Sequence, residues 1–221
     1  MRLRRRGKRS AVSEVAPEQA LTLLADQLRV EDSVISPHVQ ASGEVPALGL
    51  LVAASPRTRG ARGDYALLVE AIREGYLLHY GSPRVVVGAD DDLALLAGDY
   101  LYALGLKRLS TLGDLEAVRE LSDLISLLAQ LHAGGTSGGG DDGRAEFTAG
   151  ALWLAAVIAV AAGPSDGHEQ AKAALRSEHP NAAAALLADA QAGGARAGIP
   201  DVLGRTADSI GLGSSHLPDL G

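Results

Sequence analysis

Apolar residues recur every three or four positions through most of this chain, which is the spacing of one face of an α-helix. Segments rich in glycine, serine and proline separate the periodic stretches. The pattern predicts helices over residues 17–30, 47–54, 64–80, 90–108 and 114–133. We therefore expect an all-α fold, built as a helical bundle.

One further stretch, residues 145–163, is apolar on every face and reads AEFTAGALWLAAVIAVAAG. Such a helix is either the centre of a core or a membrane span. Its uncharged part, Phe147 to Gly163, is only 17 residues long and rich in alanine and glycine. Because a span needs about 20 strongly apolar residues, the sequence favours a core helix and leaves a membrane-embedded helix as the alternative.

The remaining segments predict the domain organisation. A glycine-rich stretch at 134–143 is typical of a flexible loop, and a last helical region is interrupted near Pro180. From Gly193 onward the chain is rich in Gly, Ser, Pro and Asp. We expect a flexible tail at 1–16, one helical domain at 17–190, and a disordered tail at 191–221.

Composition supports helices and narrows the chemistry. Apolar residues make up 47% of the chain and aromatic residues only 3%, so alanine and leucine supply most of the apolar surface. The chain has no cysteine. Disulfides, thiolate metal sites and a cysteine nucleophile are therefore excluded.

Charge is distributed unevenly along the chain. The first nine residues contain six of its 20 basic side chains, namely Arg2, Arg4, Arg5, Arg6, Lys8 and Arg9. This basic tail is interpreted as a solvated end or as a contact with an anionic membrane surface. The acidic remainder lacks a basic stripe interleaved with aromatics, so no nucleic-acid partner is expected. A polar stretch follows the tail where a secretory signal would be apolar, which predicts a cytoplasmic protein, with a peripheral location at the membrane as the alternative.

Asp90, Asp91 and Asp92 form an acidic cluster directly before an apolar helix. Carboxylates at a helix N-terminus cap free amides and interact favourably with the helix dipole, and this reading is preferred to a metal site. The six histidines show no metal-ligand spacing, and no phosphate-binding glycine motif is present.

The stretch LALLAGDYLYA, residues 93–103, resembles a helix of the polyprenyl (trans-isoprenyl) diphosphate synthases. EAIREGYLLHYGSPR, residues 70–84, is similar to the preceding helix of that family, which ends in the first aspartate-rich motif. Phe147-Thr148 stands where the family has a Lys-Thr pair. The resemblance implies a shortened isoprenoid synthase fold of helices around a cavity.

Catalysis in that family uses Mg²⁺ ions held by two aspartate-rich motifs to neutralise a departing diphosphate. Here the first motif reads Tyr80, Gly81, Ser82, Pro83 and Arg84, so its aspartates are absent and a guanidinium replaces the last one. AGIPDVLGRTADS, where the second motif would fall, contains no paired aspartates. The resemblance thus points to a vacated metal site with no bound cofactor.

These observations predict a non-catalytic, prenyl-synthase-like partner subunit. It would either pair with an active polyprenyl diphosphate synthase through a helical interface, or serve as an accessory subunit of a membrane complex, such as a respiratory complex that uses quinone. The alternative is a prenyltransferase with a rebuilt site, which alone would require Mg²⁺. His79, Asp99, Tyr100 and Thr148 are the candidate residual cavity residues. Gly98 is expected to allow close helix packing, and Asp99 to bond to a neighbouring helix across the core.

Overall fold

The computed structural model describes residues 16–135 and 142–213 of the chain. Within these ranges the protein is all-helical and contains nine α-helices and no strand, which confirms the predicted fold class. The helices are α1 (Ala20–Val30), α2 (Ala47–Ala54), α3 (Arg62–Tyr80), α4 (Asp91–Leu112), α5 (Leu115–Gly135), α6 (Asp142–Ala162), α7 (Asp166–Arg176), α8 (Ala182–Ala197) and α9 (Pro200–Ser209).

Helix α6 is the centre of the main core. Every residue from Ala151 to Ala161 is buried, and α2, α5, α8 and α9 pack around the helix. Within the described ranges, one stretch, Gly143–Ala162, is long and apolar enough to span a membrane, and 78% of its most apolar window is buried inside the protein. Burial by its own neighbours is the arrangement that the core-helix interpretation predicted.

Helices α3 and α4 form the most extensive helix pair, and glycines allow their close approach. A Cβ on Gly75 would lie 2.9 Å from the carbonyl oxygen of Gly98, and one on Gly98 would lie 2.4 Å from His79 Nε2. A Cβ on Gly105 would lie 2.5 Å from Cγ1 of the buried Ile72. The expectation that Gly98 permits close packing is confirmed.

A smaller cluster joins α1 to the other side of α3 and α4. The segment that follows α3 forms an isolated antiparallel bridge with the segment before α2, between Val86 and Val39. Gln40 N donates to Val85 O at 2.8 Å, and both Val85 and Val86 are fully buried. The chain beyond α3 is thereby held against the bundle.

The acidic cluster before α4 caps that helix, as predicted. Asp90 is the N-cap residue, and its side chain accepts from Leu93 N at 2.9 Å. Asp91 and Asp92 lie in the first turn, where their charge complements the helix dipole.

The expectation of a disordered region from residue 191 onward is wrong for the described part of that region. Helix α8 continues to Ala197, α9 follows, and Leu203, Ala207 and Leu212 join the main core. Gly193 packs against α6, since a Cβ there would lie 2.4 Å from Ile158 Cγ2. The glycines and proline that resembled a linker serve close packing and the first turn of a helix.

Other predicted boundaries lie partly outside the described residues. Helix α5 extends to Gly135 and α6 begins at Asp142, so the predicted loop 134–143 is shorter than expected at both ends. Its remaining residues, 136–141, lie outside the described ranges, as do 1–15 and 214–221. Of the basic tail predicted at 1–16, only Ala16 is therefore part of the described structure.

We predict that Gly105→Ala destabilises the protein because the added methyl group would overlap the buried Ile72 side chain. Overpacking of this kind costs about 1–3 kcal/mol, of which the better helix propensity of alanine offsets up to about 1 kcal/mol. Urea unfolding measures the difference. Gly60→Ala is the control, since nothing lies within 4 Å of its added Cβ; equal stability of the two variants would contradict close packing of α3 and α4.

Candidate functional site

Two glutamates one turn apart on α3 are completely buried at the end of the bundle where the first aspartate motif was expected. Both Glu70 and Glu74 have 0% exposure. Glu70 Oε1 accepts from the backbone N–H of Gly49 at 2.8 Å, in the first turn of α2. A side chain of α3 therefore satisfies one of the free amides at the start of α2.

Glu74 organises the chain that follows α3. Its Oε1 accepts from the backbone N–H groups of Arg84 at 2.8 Å, Val85 at 2.6 Å and Val86 at 3.1 Å. These three hydrogen bonds to one carboxylate oxygen fix the path of the segment. The carboxylate in turn needs such donors, because burying a carboxylate without hydrogen bonds costs free energy.

Arg84 supplies the positive charge for both glutamates. Its Nη1 lies 2.8 Å from Glu70 Oε2, its Nε lies 3.2 Å from Glu74 Oε2, and its side chain is only 10% exposed. Burial lowers the pKa of the guanidinium, but the two carboxylates raise it further, so its pKa lies above the ordinary value. We call Glu70, Glu74 and Arg84 the α3 clamp.

Beside the clamp lies a cleft of about 1080 Å³. Its wall is formed by parts of five helices. These are the first turn of α2 with the residues before it, the second half of α3, the end of α5, the start of α6 and the end of α9. The charged and polar side chains of the wall include Glu44, Glu70, Arg73, Ser82, Arg84 and Glu146, and the apolar ones include Leu48, Leu77 and Leu131. Such a volume suits a small organic ligand.

Aromatic rings form one wall of the cleft. Tyr80 stacks on His132 with ring centroids 4.1 Å apart, and the Tyr76 hydroxyl lies 3.1 Å from His132 Nε2. Burial lowers the pKa of His132, so the ring is neutral at pH 7. Tyr76 also packs edge-on against the buried Trp153 at 5.7 Å.

Arg73 is the remaining basic residue of the wall. Its guanidinium carbon lies 4.9 Å from the Tyr76 ring centroid and 5.1 Å from the Trp153 ring centroid. Burial lowers the pKa of Arg73 below its ordinary value, with a smaller contribution from Arg84. An arginine nevertheless stays protonated at neutral pH, so it presents a positive charge on an aromatic surface.

The structure brings four of the five residues of the vacated motif, Tyr80, Gly81, Ser82 and Arg84, to this cleft. Gly81 ends α3, and its N–H donates to Leu77 O at 3.0 Å. Arg84 had been identified only as a cation in place of a carboxylate. Its two glutamate partners, and the role of Arg73, were missed by sequence reasoning.

The four predicted residual cavity residues do not line this cleft. His79 faces α4, where its ring stacks on Tyr102 with centroids 5.3 Å apart. Tyr100 donates its hydroxyl to Glu31 Oε2 at 2.6 Å, at the end of α1. Thr148 donates to Arg144 O within α6 and borders a second, smaller cleft.

The expectation that Asp99 bonds across the core is wrong, because its side chain lies at the surface. Its side chain is 75% exposed, and Oδ1 lies 3.4 Å from His79 Nε2. The partner is on a neighbouring helix, as expected, but the contact lies at the surface and not across the core. Asp99 lies on the exposed side of α4, which apolar periodicity alone did not distinguish from the buried side.

A second buried charged cluster, which the sequence analysis did not find, joins α5, α7 and α8. Lys172 Nζ lies 3.0 Å from Glu120 Oε2 and 2.9 Å from Asp123 Oδ2, and both Lys172 and Glu120 are at most 2% exposed. The fully buried His168 contacts Glu120 through Nε2 at 2.9 Å. Its Nδ1 lies 3.5 Å from Asp189 Oδ2.

The electrostatics of this cluster are those of a structural network. Burial lowers the pKa of His168, but Asp189 and Glu120 raise it further, so that its pKa lies above the ordinary value. His168 and Lys172 are four residues apart on one face of α7, opposite Glu120 and Asp123 on α5. The four-residue spacing of His168 and Lys172 was the one sign of this cluster in the sequence. Only their contacts with α5 in the folded structure show that this face of α7 is buried.

Comparisons of the chain with protein-family models, curated proteins and solved structures gave no match. The resemblance to the polyprenyl diphosphate synthases therefore stays a prediction, based on the motifs quoted above.

We predict that Glu74→Leu lowers the free energy of unfolding by about 3–5 kcal/mol, because it leaves Arg84 and three backbone amides without their acceptor. Urea unfolding followed by circular dichroism measures this loss. Glu44→Leu, an exposed residue at the same cleft, is the control. If both variants unfold at the same urea concentration, the clamp does not hold the fold.

We predict that His168 stabilises the protein more in mild acid than in base. Because its folded pKa is raised above the unfolded value of about 6.5, its contribution is fully present below that value and is lost as pH rises through the folded pKa. The stability gap between wild type and His168→Gln should therefore be larger near pH 6 than near pH 9. Urea unfolding at both pH values tests this.

A gap for His168→Gln that stays constant or grows with pH would mean that His168 does not bind its proton more tightly in the folded state.

Proposed function

We propose that this protein is a non-catalytic partner subunit, which resembles a polyprenyl diphosphate synthase and pairs with an active enzyme of that class. The supporting observation is the α3 clamp. At the position of the first aspartate motif, the chain carries Arg84, and both nearby carboxylates, Glu70 and Glu74, are already bound by this guanidinium and by backbone amides.

The clamp is chemically unsuited to hold Mg²⁺ on a diphosphate. A hard cation needs several free oxygen ligands, whereas the carboxylate oxygens here accept hydrogen bonds or face a guanidinium. If these oxygens bound a metal ion instead, Arg84 would remain as a buried charge without a counter-ion. The N–H groups of Val85 and Val86 would also lose their acceptor. A metal site would therefore form only at the expense of the fold.

Helix α4 offers a surface for the partner. Leu95 and Leu96 on its first two turns are 49% and 57% exposed, and Leu115 at the start of α5 is 71% exposed. Synthases of the family pair through helices, so the resemblance assigns this face to a second helical chain. The exposed leucines supply the apolar area that such an interface buries.

We predict that the protein alone forms no product from an allylic diphosphate, isopentenyl diphosphate and Mg²⁺. Radiolabelled isopentenyl diphosphate and chromatography of the extracted products measure the activity. An active synthase in parallel is the positive control. Product that requires Mg²⁺ and this chain would contradict the proposal and favour the alternative, a prenyltransferase with a rebuilt site.

We predict that the protein co-purifies with a co-expressed chain that carries both aspartate motifs, and that its omission changes the product length of that enzyme. Leu96→Arg should reduce the co-purified amount about tenfold or more, because it places a charge in the apolar contact. Val30→Arg is the matched control, since Val30 is 84% exposed at the end of α1.

Failure of the two chains to co-purify, with an unchanged product length, would contradict the pairing. An equal loss of partner with Val30→Arg would show that the α4 face is not the interface.

A further inference from the structure

Arg73 is the feature of the cleft that the α3 clamp does not explain. Arg84 takes the carboxylates of Glu70 and Glu74, and among the described residues no carboxylate lies within ion-pair distance of Arg73. The Arg73 guanidinium lies against the ring of Tyr76, which lines the cleft, and against the ring of the fully buried Trp153. A guanidinium held on aromatic rings, with its N–H groups not taken by a carboxylate, is a donor for a planar anion.

Arg84 lines the same wall but does not offer a donor to a ligand in the cleft. Its Nη1 and Nε are used by the glutamates, and its Nη2 is buried from solvent. Arg73 also lines the cleft, and its guanidinium is the one that remains for a ligand to contact.

The charges around the cleft indicate how much negative charge a ligand would carry. On the inside, Arg84 is paired with Glu70 and Glu74, whereas Arg73 has no ion-pair partner among the described residues. Glu44 and Glu146 lie exposed at the rim. These rim carboxylates repel a multiply charged anion such as a diphosphate. One carboxylate group matches Arg73, the one guanidinium of the described cleft wall that has no ion-pair partner.

The rest of the wall indicates the body of the ligand. Tyr76, Tyr80 and the neutral His132 ring present an aromatic surface, and Leu48, Leu77 and Leu131 extend it. The cleft volume of about 1080 Å³ is far larger than a carboxylate alone requires. Apolar area of this kind contributes to binding when a ligand covers it.

We propose that the cleft binds an organic monocarboxylate with an apolar body, its carboxylate on the Arg73 guanidinium and its body along the Tyr76–Tyr80 wall. The binding needs no metal ion, because Arg73 supplies the countercharge. The site is independent of the pairing proposed above, since it lies at the cleft end of α3 and not on the exposed face of α4.

Trp153 provides the readout. It is the only tryptophan of the chain, and it lies 5.1 Å from the Arg73 guanidinium. Titration of the full chain with 4-phenylbutyrate and with dodecanoate, both without Mg²⁺, should shift the tryptophan emission, and calorimetry should give a 1:1 complex. The neutral 4-phenylbutyramide should bind about tenfold more weakly or worse, because it lacks the charge-assisted hydrogen bonds.

Variants locate the site. Arg73→Gln should weaken binding of the acid about tenfold or more, whereas Arg119→Gln, an exposed arginine on α5 that is remote from the cleft wall, should leave it unchanged. Glu146→Gln should tighten binding, since it removes a rim carboxylate without touching the core. It keeps the test informative if Arg73→Gln does not fold by circular dichroism.

Four results would overturn the inference. They are the absence of binding by both acids, equal binding of acid and amide, unchanged or weaker binding in Glu146→Gln, and tighter binding of inorganic diphosphate than of 4-phenylbutyrate. A folded Arg73→Gln that binds like wild type would likewise exclude Arg73 as the anchor. None of these results bears on co-purification with a synthase, so the two proposals fail separately.

Discussion

The buried charge balance at the end of α3 is the constraint on which the surrounding structure depends. Glu70 holds the start of α2, Glu74 holds the chain after α3, and Arg84 neutralises both. Removing one charge from such a group leaves another buried and uncompensated, which costs several kcal/mol. This end of the bundle is therefore fixed by ion pairs. Apolar packing around α6 holds most of the remainder, together with the buried cluster of Glu120, His168 and Lys172.

The same constraint shapes the proposed function. A side-chain metal site requires carboxylates free to bind a cation, and the clamp instead uses its carboxylates to hold backbone and guanidinium. What remains beside it is a cleft with aromatic and apolar walls, in which Arg73 has no ion pair within the described structure. These features favour recognition over metal-assisted chemistry at this place in the fold.

Features that depend on local patterns were predictable from the sequence. Periodicity gave the helices, uniform apolarity identified α6 as a core helix, and Asp90 caps α4 as expected. The C-terminal region was not predictable, because the glycines that suggested a linker are the ones that allow contact with Ile158. Asp99 lies in an apolar stripe, but only tertiary contacts show which side of α4 is covered.

The charged clusters were hidden for a related reason. Glu120 and Lys172 are 52 positions apart in the sequence, and nothing in the local pattern of either helix pairs them. Arg84 was recognisable as a replacement, but the role of Glu70 and Glu74 required the path of the chain after α3. Long-range electrostatic pairing is thus the part of this site that sequence patterns do not encode.

The most direct test of the clamp is amide hydrogen exchange of Val85 and Val86, measured by NMR with and without Mg²⁺. If Glu74 holds these N–H groups, both amides exchange as slowly as those in the core of α3, and Mg²⁺ changes neither rate. Exchange as fast as at the exposed Gly88, or faster exchange on addition of Mg²⁺, would contradict this account, because the carboxylate would then be free to bind the metal.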